Sequence, residues 1–158
     1  MKKFFTLILI IFCFVPFVYS EETKVLTAEI SMVPKSFYGT WRVLSKRVDT
    51  TAPAIFRESG IDIWNLSKTY DVITLSNLFN GAKAEIVVKK VDQNNIVFTK
   101  EGKYDTKILS DRVELNLKGD TFTGLNTLQL DTYVNGKITK SETATYKLKG
   151  EKIAGQVK

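Results

Sequence analysis

The side chains that most often do chemistry at neutral pH are nearly missing from this chain, which has no histidine and a single cysteine, Cys13. Without histidine the commonest metal ligand and the usual general base near pH 7 are both gone. Ser-His-Asp, Cys-His and zinc-hydrolase chemistries are therefore closed. Cys13 sits between two phenylalanines inside an N-terminal apolar run, so neither a disulfide nor a cysteine-ligated metal can support the remainder of the chain. Carboxylates are what is left. Asp105 with Asp111, or Asp62 with Asp71, are acid pairs able to share general acid and base roles. Each is expected in a turn or at a strand end, where a solvated carboxylate is ordinary. No glycine-rich phosphate loop, Gly-x-Ser-x-Gly elbow or Ser-x-x-Lys pair occurs. The expectation is a protein that is not an enzyme and has no cofactor.

Binding is the remaining class, and it depends on which elements carry the large apolar side chains. From Ser36 onward the chain is a series of short β-branched and aromatic segments cut by turn residues. Strands are expected over 40–48, 61–66, 71–76, 83–91 and 96–100. Others are expected over 112–118, 121–133 and 138–148, with further short strands at 103–108 and 153–157. Ala84, Ile86 and Val88 alternate with Lys83, Glu85 and Lys89, as a half-buried strand requires. Val113, Leu115 and Leu117 do the same, as do Ala144, Tyr146 and Leu148. Turns are expected at Asn80-Gly81, Asp92 to Asn95, Glu101-Gly102 and Asn135-Gly136, the last being the strongest hairpin signal. Thr51 to Gly60, with Pro53 and Phe56, reads as a short helix or a lid loop.

About eight to ten sequence-adjacent strands joined by tight turns form a meander with two exposed edges unless it closes. The fold class is thus all-β: an antiparallel up-and-down barrel with one short helix or lid after the first strand, with a two-sheet sandwich as its rival. A barrel of that size either holds one small apolar or amphipathic ligand or is filled by its own side chains. The candidate lining residues are Trp41, Trp64, Ile86, Phe98, Leu115 and Tyr146, each equally able to be filler. Strand parity around Trp64 is ambiguous, because Ile61 and Ile63 compete with Trp64 and Leu66. A second class of function uses the outside: Phe56, Leu78 and Phe79 are apolar where solvent is expected and can mark a partner surface.

The first twenty residues follow other rules. Lys2 and Lys3 precede an apolar run from Phe4 to Val18, and Val18-Tyr19-Ser20 stands just before Glu21 and Glu22. That is the pattern of a signal peptide cleaved after Ser20. The run is shorter than the roughly 20 apolar residues needed to cross a bilayer, so no transmembrane span is expected after cleavage. Residues 21–35 then form an extended arm, residues 36–158 the barrel domain, and the product is exported, periplasmic or secreted. Cleavage would take the formal charge from +6 to +4. A modest positive charge suits an anionic envelope surface and serves equally for solubility. Lys and Arg form no dense run beside aromatic residues, so nucleic acid is not an expected partner.

Two local patterns complete the reading. Leu117-Lys118-Gly119-Asp120 recurs as Leu148-Lys149-Gly150-Glu151, each with a second glycine four residues after the acid. Glycine among charged residues reads as an exposed turn at both places. Phe37-Tyr38-Gly39-Thr40-Trp41-Arg42-Val43 carries the Gly-x-Trp signature at the opening of the first strand. With the signal segment and the repeated Lys-Gly-acid turns, the chain resembles small, largely uncharacterised exported lipocalin-like proteins of bacteria. The resemblance implies that Trp41 plugs the closed end of a barrel and that Gly39 lets the chain enter it close-packed. Lys147, Lys149 and Lys152 stand where that family has an arginine over the tryptophan.

Overall fold

A computed structural model describes residues 29–155. The expected signal segment, residues 1–20, lies outside the described residues, as do positions 21–28 and 156–158. Eight strands follow one another: β1 (Gly39–Thr50), β2 (Ser59–Thr69), β3 (Val72–Asn77), β4 (Lys83–Asp92), β5 (Asn95–Tyr104), β6 (Lys107–Lys118), β7 (Thr121–Val134) and β8 (Lys137–Ala154). Each is antiparallel to the next, and β8 returns to pair with β1, giving a closed barrel. Closure removes both sheet edges.

Alternation decides what each strand buries. In β6, Asp111, Val113, Leu115 and Leu117 are buried while Arg112, Glu114, Asn116 and Lys118 are exposed. In β2 the parity resolves toward Trp64 and Leu66, leaving Ile61 exposed. β4 keeps Ile86 and Val88 inside, then shifts parity at a bulge between Val88 and Lys90, so that Val91 is buried too. The hairpin at Asn135-Gly136 has positive φ at both residues, 51° and 75°, as the expected two-residue turn demands.

Several boundaries differ from those expected. Among the described residues there are eight strands, and no helix lies between β1 and β2. Residues 51–58 form a loop whose single turn is closed by the Ile55 and Phe56 amides donating to the Ala52 carbonyl, at 3.0 and 3.1 Å. Among the described residues the complete short helix, a 3-10 turn over Lys35–Phe37, precedes β1 instead. Residues 29–32 are helical rather than extended; Ile30 packs on the core and the Glu29 carboxylate accepts the Val91 amide at 2.8 Å. Glu101-Gly102 is inside β5, and the chain turns at Asp105-Thr106, with Asp105 at φ 55°. Gly119, at φ +60°, occupies an open turn, but its counterpart Gly150 is a buried interior position of β8. A Cβ there would lie 2.1 Å from the Phe122 ring.

The two ends of the barrel are unlike. At one end Phe37 and Trp41 have no exposed surface. Gly39 lies at φ +127° with the Ala154 carbonyl oxygen 2.6 Å from where a Cβ would be. The other end carries the loop over 51–58, the loop over 78–82 and the hairpins after β5 and β7. Among the described residues no helix is long and apolar enough to cross a membrane.

Candidate functional site

The closed end is solid. Trp41 donates its indole N–H to the Phe37 carbonyl at 3.0 Å, and its ring meets Phe122 at 5.1 Å between centroids. The Lys152 ammonium lies 4.8 Å above the Trp41 ring and donates to the Ser36 carbonyl at 2.5 Å. Of Lys147, Lys149 and Lys152, the last is thus the one placed on the tryptophan, a cation–π contact. Phe98 packs edge-on against Phe37 at 6.0 Å. Tyr38 is buried beside Phe37 with its hydroxyl unpartnered, and burial pushes its pKa up to about 12.

Trp64 marks where packing ends. It stacks on Phe122 at 6.2 Å, and it lines both cavities that open toward the other end. One cavity, of about 280 Å³, also touches Leu75, Leu109, Lys100 and Asp111. The other, of about 420 Å³, runs under the loop over 51–58, past Val43, Phe56 and Tyr146. Asp62, Trp64, Asn126 and Leu128 line both, so the two are lobes of one recess. Of the six candidate residues, Trp64 and Tyr146 line this recess. Trp41, Ile86, Phe98 and Leu115 do not; they fill the barrel.

The loop over 51–58 is tied down across the second lobe. Tyr146 donates its hydroxyl to the Arg57 carbonyl at 2.8 Å, and the Arg47 guanidinium donates to the Phe56 and Pro53 carbonyls. Phe56 is thereby buried rather than presented to solvent, whereas Leu78 and Phe79 remain 56% and 64% exposed. Burial raises the Tyr146 pKa, and the charge of Arg47 opposes that rise.

The recess holds polar groups that sequence reasoning missed. Lys100 on β5 and Asp111 on β6 are directly paired in the ladder and form an ion pair inside the barrel. Asp111 is only 4% exposed. Burial lowers the Lys100 pKa, and the nearby charge of Asp62 opposes that. Asp62 in turn accepts the Asn77 side-chain amide at 2.8 Å. Two of the expected solvated carboxylates, Asp62 and Asp111, are therefore interior groups, while Asp71 is exposed and Asp105 sits in a turn. The available signal was parity: Asp111 shares the inward register of Val113 and Leu115, Lys100 that of Ile96 and Phe98, and Asn126 that of Phe122.

Among the described residues three buried side-chain oxygens have no hydrogen-bond partner: Tyr38 Oη, Asp111 Oδ1 and Asn126 Oδ1. The last two belong to the smaller lobe. No group of three side chains suited to holding a metal ion occurs among the described residues. The recess can therefore offer an aromatic floor, aliphatic walls and hydrogen-bond acceptors. No family model, curated protein or solved structure matches this chain.

Proposed function

We propose that this chain is an exported, lipocalin-like binding protein that takes a small amphipathic molecule into the open end of its barrel and does not transform it. The observation that carries the reading is the recess above Trp64, apolar on Trp64, Leu75 and Leu128 and polar on Lys100, Asp111 and Asn126. Ligand sites are mostly apolar hollows with a few convergent polar groups and roughly 300–1,000 Å³ of space, and the lobes of about 280 and 420 Å³ each stand near or below the lower half of that range. The ligand is accordingly small. Gly39, Trp41 and Lys152 at the plugged end support the lipocalin-like part of the proposal.

A binding assay on the folded protein tests it. N-phenylnaphthylamine should gain fluorescence saturably and lose it when 1-octanol competes. Leu128→Trp fills the junction of the two lobes instead of emptying the core, so it should abolish probe binding while the protein stays folded. No saturable response from the folded wild type, or unchanged binding by Leu128→Trp, would defeat the reading. The exposed pair Leu78-Phe79 favours a second reading, an apolar contact for an envelope partner. Under it, Leu78→Ser with Phe79→Ser would abolish partner capture and leave probe binding intact.

A further inference from the structure

We infer that the smaller lobe is built for the protonated primary amine of an amphipathic ligand, with Asp111 Oδ1 and Asn126 Oδ1 as its acceptors. This rests on the amphiphile-binding reading above and specifies its polar end. The β6–β7 register opposes Asp111 to Leu128 and Val113 to Asn126. Asp111 and Asn126 are thus diagonal neighbours with both side chains turned into the barrel. Each contributes a buried oxygen that accepts nothing, whereas the neighbouring Asp62 and Lys100 in the same lobe both have partners. A buried acceptor without a donor is costly, so two beside one cavity point to a donor arriving from outside the chain.

Charge selects the kind of donor. The interior groups of this lobe are Asp62, Asp111 and Lys100, two carboxylates against one ammonium. Lys100 is already held by the other oxygen of Asp111, and Asp62 is held by Asn77. A ligand carboxylate would add a third negative group and bring acceptors to acceptors. A hydroxyl could satisfy one oxygen and leave the charge unbalanced. A primary ammonium carries three donors and one positive charge, enough to meet both free oxygens and neutralise the cluster. Its alkyl or aryl part would lie on Trp64, Leu75 and Leu128.

Calorimetry at pH 7 with four probes of equal chain length tests this directly. Octylamine should bind roughly tenfold or more tighter than 1-octanol, the effect of one charge-assisted hydrogen bond, with octanoate weakest. Octyltrimethylammonium keeps the charge but has no N–H and should lose that advantage. Asp111→Asn should remove the amine preference while octanol binding changes little. Because that change also strips Lys100 of its counter-charge, Asn126→Leu is the second variant; it leaves the ion pair intact and should cut octylamine affinity several-fold with no loss for octanol. Equal binding of octylamine, octanol and octanoate overturns the amine assignment and leaves the amphiphile reading standing. Undiminished binding of the quaternary ammonium overturns the two-oxygen seat. If none of the four binds to folded protein, the amphiphile reading fails first and the amine assignment with it.

Discussion

Tyr38 and Trp41 share the plugged end but solve burial differently. Trp41 has a partner for its one polar atom, the Phe37 carbonyl, and a cation over its face. Tyr38 has none for its hydroxyl, and a buried group left unsatisfied costs roughly 1 to 3 kcal/mol. Tyr38→Phe should therefore raise stability at pH 7 by about 1 kcal/mol, read as a higher urea midpoint. The same residue sets an alkaline limit. Burial lifts its pKa from 10.0 to about 12, so between those values the folded chain keeps a proton that the unfolded chain has lost. Stability from this group is full below pH 10 and declines as pH rises toward 12. Urea midpoints at pH 8, 10 and 11.5 should fall less steeply in Tyr38→Phe than in wild type. Equal slopes would show that Tyr38 ionises as freely in the folded state as in the unfolded one. Single residues like these were only half legible in sequence: Gly-x-Trp singled out Trp41, yet nothing local to Asp111 distinguishes a buried carboxylate from a solvated one. Its inward parity was visible, but turn expectation at the nearby Glu101-Gly102 pulled the strand boundaries away from it.

Strands betray themselves by alternation, and their ends are harder to read because glycine has more than one use. At Gly119 it supplies positive φ in open space; at Gly150 it makes room for an aromatic ring across the ladder. The repeated Leu-Lys-Gly-acid sequence is identical in both places apart from the acid, so only the partner strand distinguishes them. Likewise Gly102 is a strand residue, and the true β5–β6 turn at Asp105-Thr106 contains no glycine. The two glycine roles make separable predictions. Gly150→Ala forces a methyl into the Phe122 ring and should cost about 1 to 3 kcal/mol, as overpacking does. Gly119→Ala meets no neighbour but must hold a left-handed backbone, at about 1 to 2 kcal/mol. Adding Phe122→Leu should offset much of the first loss and none of the second, giving a coupling energy only for the Gly150 cycle. Additive behaviour in both cycles would mean that the ring moves aside freely.

The whole barrel depends on a contact between its most distant parts, the pairing of β1 with β8 from Thr40 opposite Ala154 to Thr50 opposite Ala144. A count of short strands in sequence order made a meander legible and made closure its natural completion, but the register of the seam was not encoded locally. It is fixed by features on both sides: the plug of Trp41 under Lys152, the Arg42 and Glu151 ion pair across the outer face, and Gly39 passing against the Ala154 carbonyl. An open sheet would leave β1 and β8 as edges that fray independently. A closed one makes their amides open only with the whole molecule. Native-state hydrogen exchange should thus find β1 amides bonded to β8 among the slowest in the chain, with opening energies equal to that of global unfolding. Gly39→Ala places a Cβ against the Ala154 oxygen in a backbone conformation side chains rarely adopt, so it attacks the seam at its tightest point. It should lower the opening energy of amides on the far side of the barrel, in β4 and β5, by the same amount as those at the seam. Loss confined to β1 and β8, with β4 and β5 unchanged, would mean that the seam fastens an already stable sheet instead of completing one cooperative unit.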